Sequence, residues 1–103
     1  MENEHSEHAK IFKAFCDEHR LKILKELRNG EKCACVLLNE LDISQSTLSH
    51  HMGILCKSGI VSSRKEGKWT YYSIDPDGCA YAKELMCQLT LVTDTGKGVC
   101  CNG

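Results

Sequence analysis

At Ile60 the chain changes the spacing at which it places its apolar residues, and that change constrains its fold more than any other feature. Upstream, apolar side chains recur every three or four residues, the interval that gathers them on one side of a helix. Downstream come Val61, Trp69, Tyr71, Tyr72 and Ile74, β-branched or aromatic residues interrupted by Lys65-Glu66-Gly67-Lys68. That tetrapeptide predicts a hairpin turn between strands at 60–65 and 69–74. Asp75-Pro76-Asp77 restarts the chain into a last helix with Tyr81, Leu85, Leu89 and Val92 along one stripe.

Four helices are expected before the hairpin. Ile11, Phe12, Phe15 and Cys16 mark the first, over 7–17. Leu21, Leu24 and Leu27 mark the second, from Asp17/His19 to Asn29, with Gly30 as its stop. The third covers 33–41, and after an Asp42-Ile43 turn Ser44 caps a fourth that ends near Ser58-Gly59. The outline is a winged helix-turn-helix: mainly α with a β-hairpin wing, the third and fourth helices forming the DNA-binding pair. At 103 residues there is room for one such domain, read as 1–92, followed by a flexible tail over 93–103 with three glycines and Cys100-Cys101.

Composition excludes more than it selects. The longest apolar run, Cys33 to Leu38, has six residues, far short of the about 20 of a membrane span. The Glu- and His-rich start offers no apolar stretch for a secretory signal. Eight cysteines would suggest a disulfide framework in a secreted mini-protein, but here the expectation is a cytoplasmic protein with reduced thiols, some of them binding metal or sensing redox state. There is no defensible nucleophile–base arrangement, Gly-rich phosphate loop or C-x-x-C pair, so neither an enzyme nor a small organic substrate is expected.

A net charge of −1 conceals a division. Residues 1–42 and 75–103 each carry −2, whereas 43–74 carry Lys57, Arg64, Lys65 and Lys68 against Glu66 alone. A positive segment between acidic ones is a footprint for a polyanion. Stepping the fourth helix at about 100° per residue puts Leu48, Met52 and Leu55 on one side and Ser46, Ser49, His50, Gly53 and Lys57 on the other. That outer face is short, polar and free of carboxylates from Ser44 to Lys57, as entry into a major groove requires. The DNA-binding set is therefore Ser44, Gln45, Ser46, Thr47, Ser49, His50, His51 and Lys57, with Arg64, Lys65 and Lys68 on the wing. Trp69, Tyr71 and Tyr72 are expected to anchor the hairpin to the core rather than to stack on bases.

Cys33 and Cys35, read as the start of the third helix, would point about 200° apart, so that holding one ion would need local unwinding. Such a distortion could serve as a switch on the helix behind.

Three strings carry a likeness: Ser44-Gln45-Ser46-Thr47-Leu48-Ser49-His50-His51-Met52, Ser58-Gly59-Ile60-Val61, and Arg64-Lys65-Glu66-Gly67-Lys68-Trp69-Thr70-Tyr71-Tyr72. They resemble the ArsR/SmtB family of metal-responsive repressors, and the likeness runs over residues 8–90. It implies a homodimer joined through the first and last helices, in keeping with the Phe12/Phe15 and Leu85/Leu89 stripes, and reading a near-palindromic double-stranded operator. It also implies release when a metal or metalloid binds, with no cofactor needed for DNA binding itself. Glu31-Lys32-Cys33-Ala34-Cys35 resembles the family's C-x-C site, whose two thiolates are ligands. Soft thiolates suit As(III) or Sb(III) as inducer, or Cd(II) or Pb(II). As(III) takes three, and where some relatives carry a third cysteine this chain has Leu38. Cys100, Cys101, Cys16 and Cys56 remain candidates for the third. No histidine follows His51, so the family's last-helix zinc site has no counterpart.

Two other functions fit the residues. The same fold could sense oxidants or persulfides through its thiols, with Cys16/Cys56 or the tail pair foremost. A cysteine-rich metal-binding or interaction module without DNA function is the reading from a different class.

Overall fold

The structure, a computed structural model, describes residues 4–93. The tail cysteines Cys100 and Cys101 lie outside the described residues.

Helix α1 runs Glu4–Phe12 and tightens into a 3₁₀ turn at Lys13–Phe15. The predicted first helix is therefore shifted toward the N-terminus, and Phe15 and Cys16 are not on it. Helix α2, Glu18–Leu27, is capped by Asp17, whose carboxylate accepts from the His19 N–H at 2.8 Å. Its Ile23 and Leu27 enter the core and Leu24 packs against it, whereas Leu21 is half exposed.

Strand β1, Lys32–Cys33, is only two residues long and was not expected. It leads directly into α3, Ala34–Leu41, for which Cys33 is the N-cap residue in extended conformation. Asp42 makes the tight turn between α3 and α4 at φ 54°, a left-handed position that Asp tolerates better than most side chains. Helix α4 covers Gln45–Lys57, and the Ser44 hydroxyl accepts from the Thr47 N–H at 3.1 Å. Leu48, Met52 and Leu55 are buried together with Ile23, Leu27, Leu37, Ile60 and Val61.

Strands β2, Val61–Glu66, and β3, Trp69–Ile74, form the expected hairpin. Glu66 faces Trp69 across a two-residue Gly67-Lys68 loop, and Gly67 at φ 63° supplies the positive angle such a turn needs first. The hairpin is part of a three-stranded antiparallel sheet in the order β1-β3-β2. Helix α5, Pro76–Leu89, is capped by Asp75, which accepts from the Asp77 and Gly78 N–H groups. Its first turn presses on the α4–β2 corner so closely that a Cβ on Gly78 would collide with the Gly59 carbonyl. Ala82 and Leu85 face the interior, whereas Tyr81, Met86 and Leu89 stay exposed. Val92, placed on the last helix by its spacing, lies beyond the helix end. Among the described residues no helix is long and apolar enough to cross a membrane.

Candidate nucleic-acid interface and thiol pair

Helix α4 turns a polar face to solvent. Gln45, Ser46, Ser49, His50, Gly53 and Lys57 are exposed, while Thr47 is half-buried beside the Ser44 cap. His51 departs from the expected set: it is buried, 6% exposed, and faces inward. The helix wheel already held the reason, since three steps of about 100° put it next to Leu48 and Leu55 rather than beside His50.

His51 closes a polar knot between α2 and α4. Arg20, also buried, donates through Nη1 to His51 Nδ1 at 3.0 Å and through Nε to the Lys13 carbonyl at 3.0 Å. The Asp17 carboxylate sits 3.7 Å from His51 Nε2 and 3.8 Å from His19 Nδ1. Burial pushes the His51 pKa down; Asp17 pulls it back and the charge of Arg20 lowers it further. Desolvation would raise Asp17, but the His19 N–H together with the charges of His51 and Arg20 holds its carboxyl below the usual range. Asp17, His19 and His51 place donor atoms within 4.8 Å of one another, a spacing that could suit a cation. Arg20 can only donate, however, so His51 Nδ1 is the acceptor and the ring proton sits on Nε2, the nitrogen a cation would need. The trio thus joins two helices.

On the wing, Lys65 and Lys68 are exposed, and no ion pair of either appears among the described residues. Arg64 is engaged. Its Nε and Nη2 each donate to Glu31 at 2.8 Å, Nη1 reaches Glu66 at 3.3 Å, and the guanidinium lies 4.6 Å over the Tyr71 ring. Hydrogen bonding from Arg64 holds the Glu31 carboxyl below its usual range. The expected free cation on the wing is therefore neutralised within the chain. The aromatics divide: Tyr72 packs on the core, Tyr71 is half-buried beneath Arg64, and Trp69 is 48% exposed with Lys68 Nζ 5.6 Å from its ring. Trp69 is not an anchor.

The thiols of Cys33 and Cys35 lie together, Sγ to Sγ 3.0 Å. This corrects the expectation that they diverge, because Cys33 is an extended N-cap residue and the helical step does not apply to it. No unwinding is required. The Cys35 thiol donates to Cys33, and that contact, with the N–H of Cys35 at the helix start, pulls the Cys33 thiol pKa down while raising that of Cys35. Two soft donors so placed fit a thiophilic ion. Among the described residues no third His, Cys, Asp or Glu donor gathers with them. Cys16 is exposed past the 3₁₀ turn, its thiol donating to the Phe12 carbonyl at 3.3 Å. Cys56 is half-buried behind β2, and burial pushes its thiol up.

Several large apolar residues are exposed, among them Phe15, Tyr81, Met86, Leu89, Leu91 and Val92. Phe15 and Met86 also line a cavity of about 330 Å³ together with Phe12, Leu24 and Ile74.

Comparison with known proteins gives consistent results. The family described as "Bacterial regulatory protein, arsR family" matches residues 17–63, which run from the Asp17 cap through α4 into the wing. An uncharacterised HTH-type transcriptional regulator of Methanocaldococcus jannaschii is 54% identical over 70 residues, 67% of this chain and 79% of its own length. A cadmium resistance transcriptional regulatory protein homologue of Staphylococcus aureus is 46% identical, over 76% of this chain and 63% of its own. The arsenical resistance operon repressor of Bacillus subtilis is 33% identical, over 87% and 86%. Among solved structures, a possible transcriptional regulator for arsenical resistance superposes with a TM-score of 0.70 at 26% identity, over 81% of this chain and 86% of that one.

Proposed function

Because the chain belongs to the arsR family of bacterial regulatory proteins, we propose that it is a transcriptional repressor released from its operator when As(III), Sb(III) or a soft divalent ion such as Cd(II) or Pb(II) is bound by Cys33 and Cys35. The observation that carries this reading is the thiol pair, 3.0 Å apart, with Cys33 on a strand that pairs with the wing's return strand and Cys35 in the first turn of α3. Sensor and wing share one sheet. Relatives named for arsenical and cadmium resistance support the choice of inducer.

In this reading the exposed face of α4 enters the major groove with Gln45, Ser46, Ser49 and His50 toward base edges, while Ser44, Thr47 and Lys57 meet the backbone. Lys65 and Lys68 reach flanking phosphates. His51 acts from inside by fixing α4 on α2. Two copies meet through the apolar face of α1 and α5, so that each reads one half-site. The third thiolate for As(III) comes from Cys100, Cys101, Cys16 or Cys56, of either copy, since among the described residues of one chain no third donor gathers with the pair. The lowered Cys33 thiol favours a second reading, in which a peroxide or persulfide oxidises this sulfur instead.

The test is titration of the reduced protein on a fluorescent duplex selected by the protein from a random-sequence pool, with thiol counting. Stoichiometric arsenite is expected to release the duplex and protect three thiols per chain, and Cys33→Ser to abolish both effects without loss of DNA binding. Release by peroxide or persulfide but not by arsenite would establish the second reading. Absence of any selected sequence would refute both.

A further inference from the structure

Arg64 and Cys33 of the thiol pair occupy one rung of the sheet. Cys33 is paired with Tyr71 from one side and Arg64 with Tyr71 from the other. Directly opposed residues in antiparallel strands project from the same face, so Cys33, Tyr71 and Arg64 line one surface. Lys32, Tyr72 and Ser63 form the rung on the reverse. Glu31, two residues before Cys33, returns to the first face by the alternation of an extended chain, and there its carboxylate takes Arg64 in a two-point grip. A carboxylate held this way offers a guanidinium the same pair of acceptor oxygens as a DNA phosphate. Arg64 cannot satisfy both with the same two N–H groups.

Resting on the proposed function, we infer that Glu31 is an intramolecular competitor for the wing's Arg64, occupying it in the free protein and surrendering it to a phosphate on the operator. The position of the competitor gives the contact a second role. Glu31 lies on the same short segment as Cys33 and Cys35, so an ion that fixes the two sulfurs also fixes the stretch from which the carboxylate reaches out. Loading the thiol pair holds Glu31 on Arg64 and opposes transfer to DNA. Lys65 and Lys68 carry no such link, which makes Arg64 the cation on the wing whose availability the sensor controls.

The experiment is a double-mutant cycle on the full chain: wild type, Glu31→Gln, Arg64→Gln and the double variant, measured on the duplex selected by the wild type over a series of salt concentrations. Glu31→Gln is expected to tighten binding about two- to fivefold, the scale of an exposed ion pair. Arg64→Gln is expected to weaken it and to reduce the slope of log K against log salt by about 0.9, one phosphate contact. In the Arg64→Gln background the gain from Glu31→Gln disappears. Glu31→Asp, which keeps the charge but withdraws it by one methylene, tightens binding in the same direction. With arsenite, Glu31→Gln protects the same number of thiols as wild type but shows a smaller fold-loss of DNA affinity. A gain that persists without Arg64, or that Glu31→Asp does not share, would make the effect one of net charge and overturn the competition. An unchanged arsenite fold-loss would overturn the link to the thiol pair. If the wild type selects no duplex, the proposed function fails first and takes this inference with it.

Discussion

Arg20→Met is the substitution that asks most of the α2–α4 knot. It removes the donor that reaches buried His51 Nδ1 and the donor that reaches the Lys13 carbonyl, both at 3.0 Å, although that carbonyl keeps the Cys16 N–H at 3.2 Å. His51 Nδ1 is left a buried acceptor without its donor, at about 1–3 kcal/mol, and loss of the part-buried bond to Lys13 adds about 0.5–1.5 kcal/mol. Met fills much of the same space and carries no charge to desolvate, which returns part of the loss. A net destabilisation of about 1–3 kcal/mol is expected, against a total of about 5–15 kcal/mol for a domain of this kind. The assay is urea unfolding followed by circular dichroism at one fixed protomer concentration, since dimerisation would move the midpoint. Leu21→Ala, at a half-exposed position on the same helix, serves as the comparison.

The same knot fixes a pH dependence. Folded His51 has a depressed pKa, so as pH falls through the ordinary imidazole range the unfolded chain takes up a proton that the folded one refuses. Stability from this group therefore falls as the solution is acidified below about pH 6.5, at no more than about 1.4 kcal/mol per pH unit. Asp17, with its carboxyl lowered from 3.8, acts in the same direction but only in more acidic solution. Removing the charge of Arg20 raises the His51 pKa, so the variant, though less stable at pH 7.5, loses less on going to pH 5.5. A cost below about 0.5 kcal/mol, or an acid slope identical to that of wild type, would refute this account of the knot.

Other outcomes follow from the same geometry. Cys35→Ser is expected to leave DNA affinity within about twofold while removing arsenite-induced release, read by fluorescence anisotropy. Lys57→Ala and Lys65→Ala should each weaken binding to all duplexes alike and lower the salt slope by about 1, whereas Ser49→Ala should alter which sequences are selected. Leu55→Ala, at a fully buried position, should cost about 2–5 kcal/mol in urea. Gly78→Ala should cost about 2–3 kcal/mol because the new methyl meets the Gly59 backbone, which has no rotamer through which to yield. A thermal melt unchanged by Gly78→Ala would refute that close approach.

What the sequence disclosed depended on the length of each pattern. Helix α4 was legible because Ser44 caps it and Leu48, Met52 and Leu55 repeat over about two turns. The hairpin was legible because Gly67 sits where a two-residue turn needs a positive angle. Strand β1 was not, since two residues have no alternation to read, and missing it also misplaced the cysteines. A helix-start residue in extended conformation obeys neither the helical step nor the strand pleat. Local spacing therefore could not predict that Cys33 and Cys35 touch. His51 was included in the DNA set, although its angle on the wheel already put it inside. The partner of Arg64 was beyond reach for a different reason: Glu31 is 33 residues away, and pairing at that separation is decided by strand register.

The brevity of β1 has a kinetic consequence. Its two residues pair with β3 on one side only, and the sheet order leaves its other edge unpaired by strand. Separating so short an edge exposes little apolar surface, so the segment carrying the sulfurs can open without unfolding the domain. Amide protons of Lys32 and Cys33 should exchange with solvent far faster than those of Leu55 or Ile23 in the core. Under the proposed function an incoming ion would then meet Cys33 on the timescale of a fraying edge, and the speed of response would be uncoupled from the global stability of the fold.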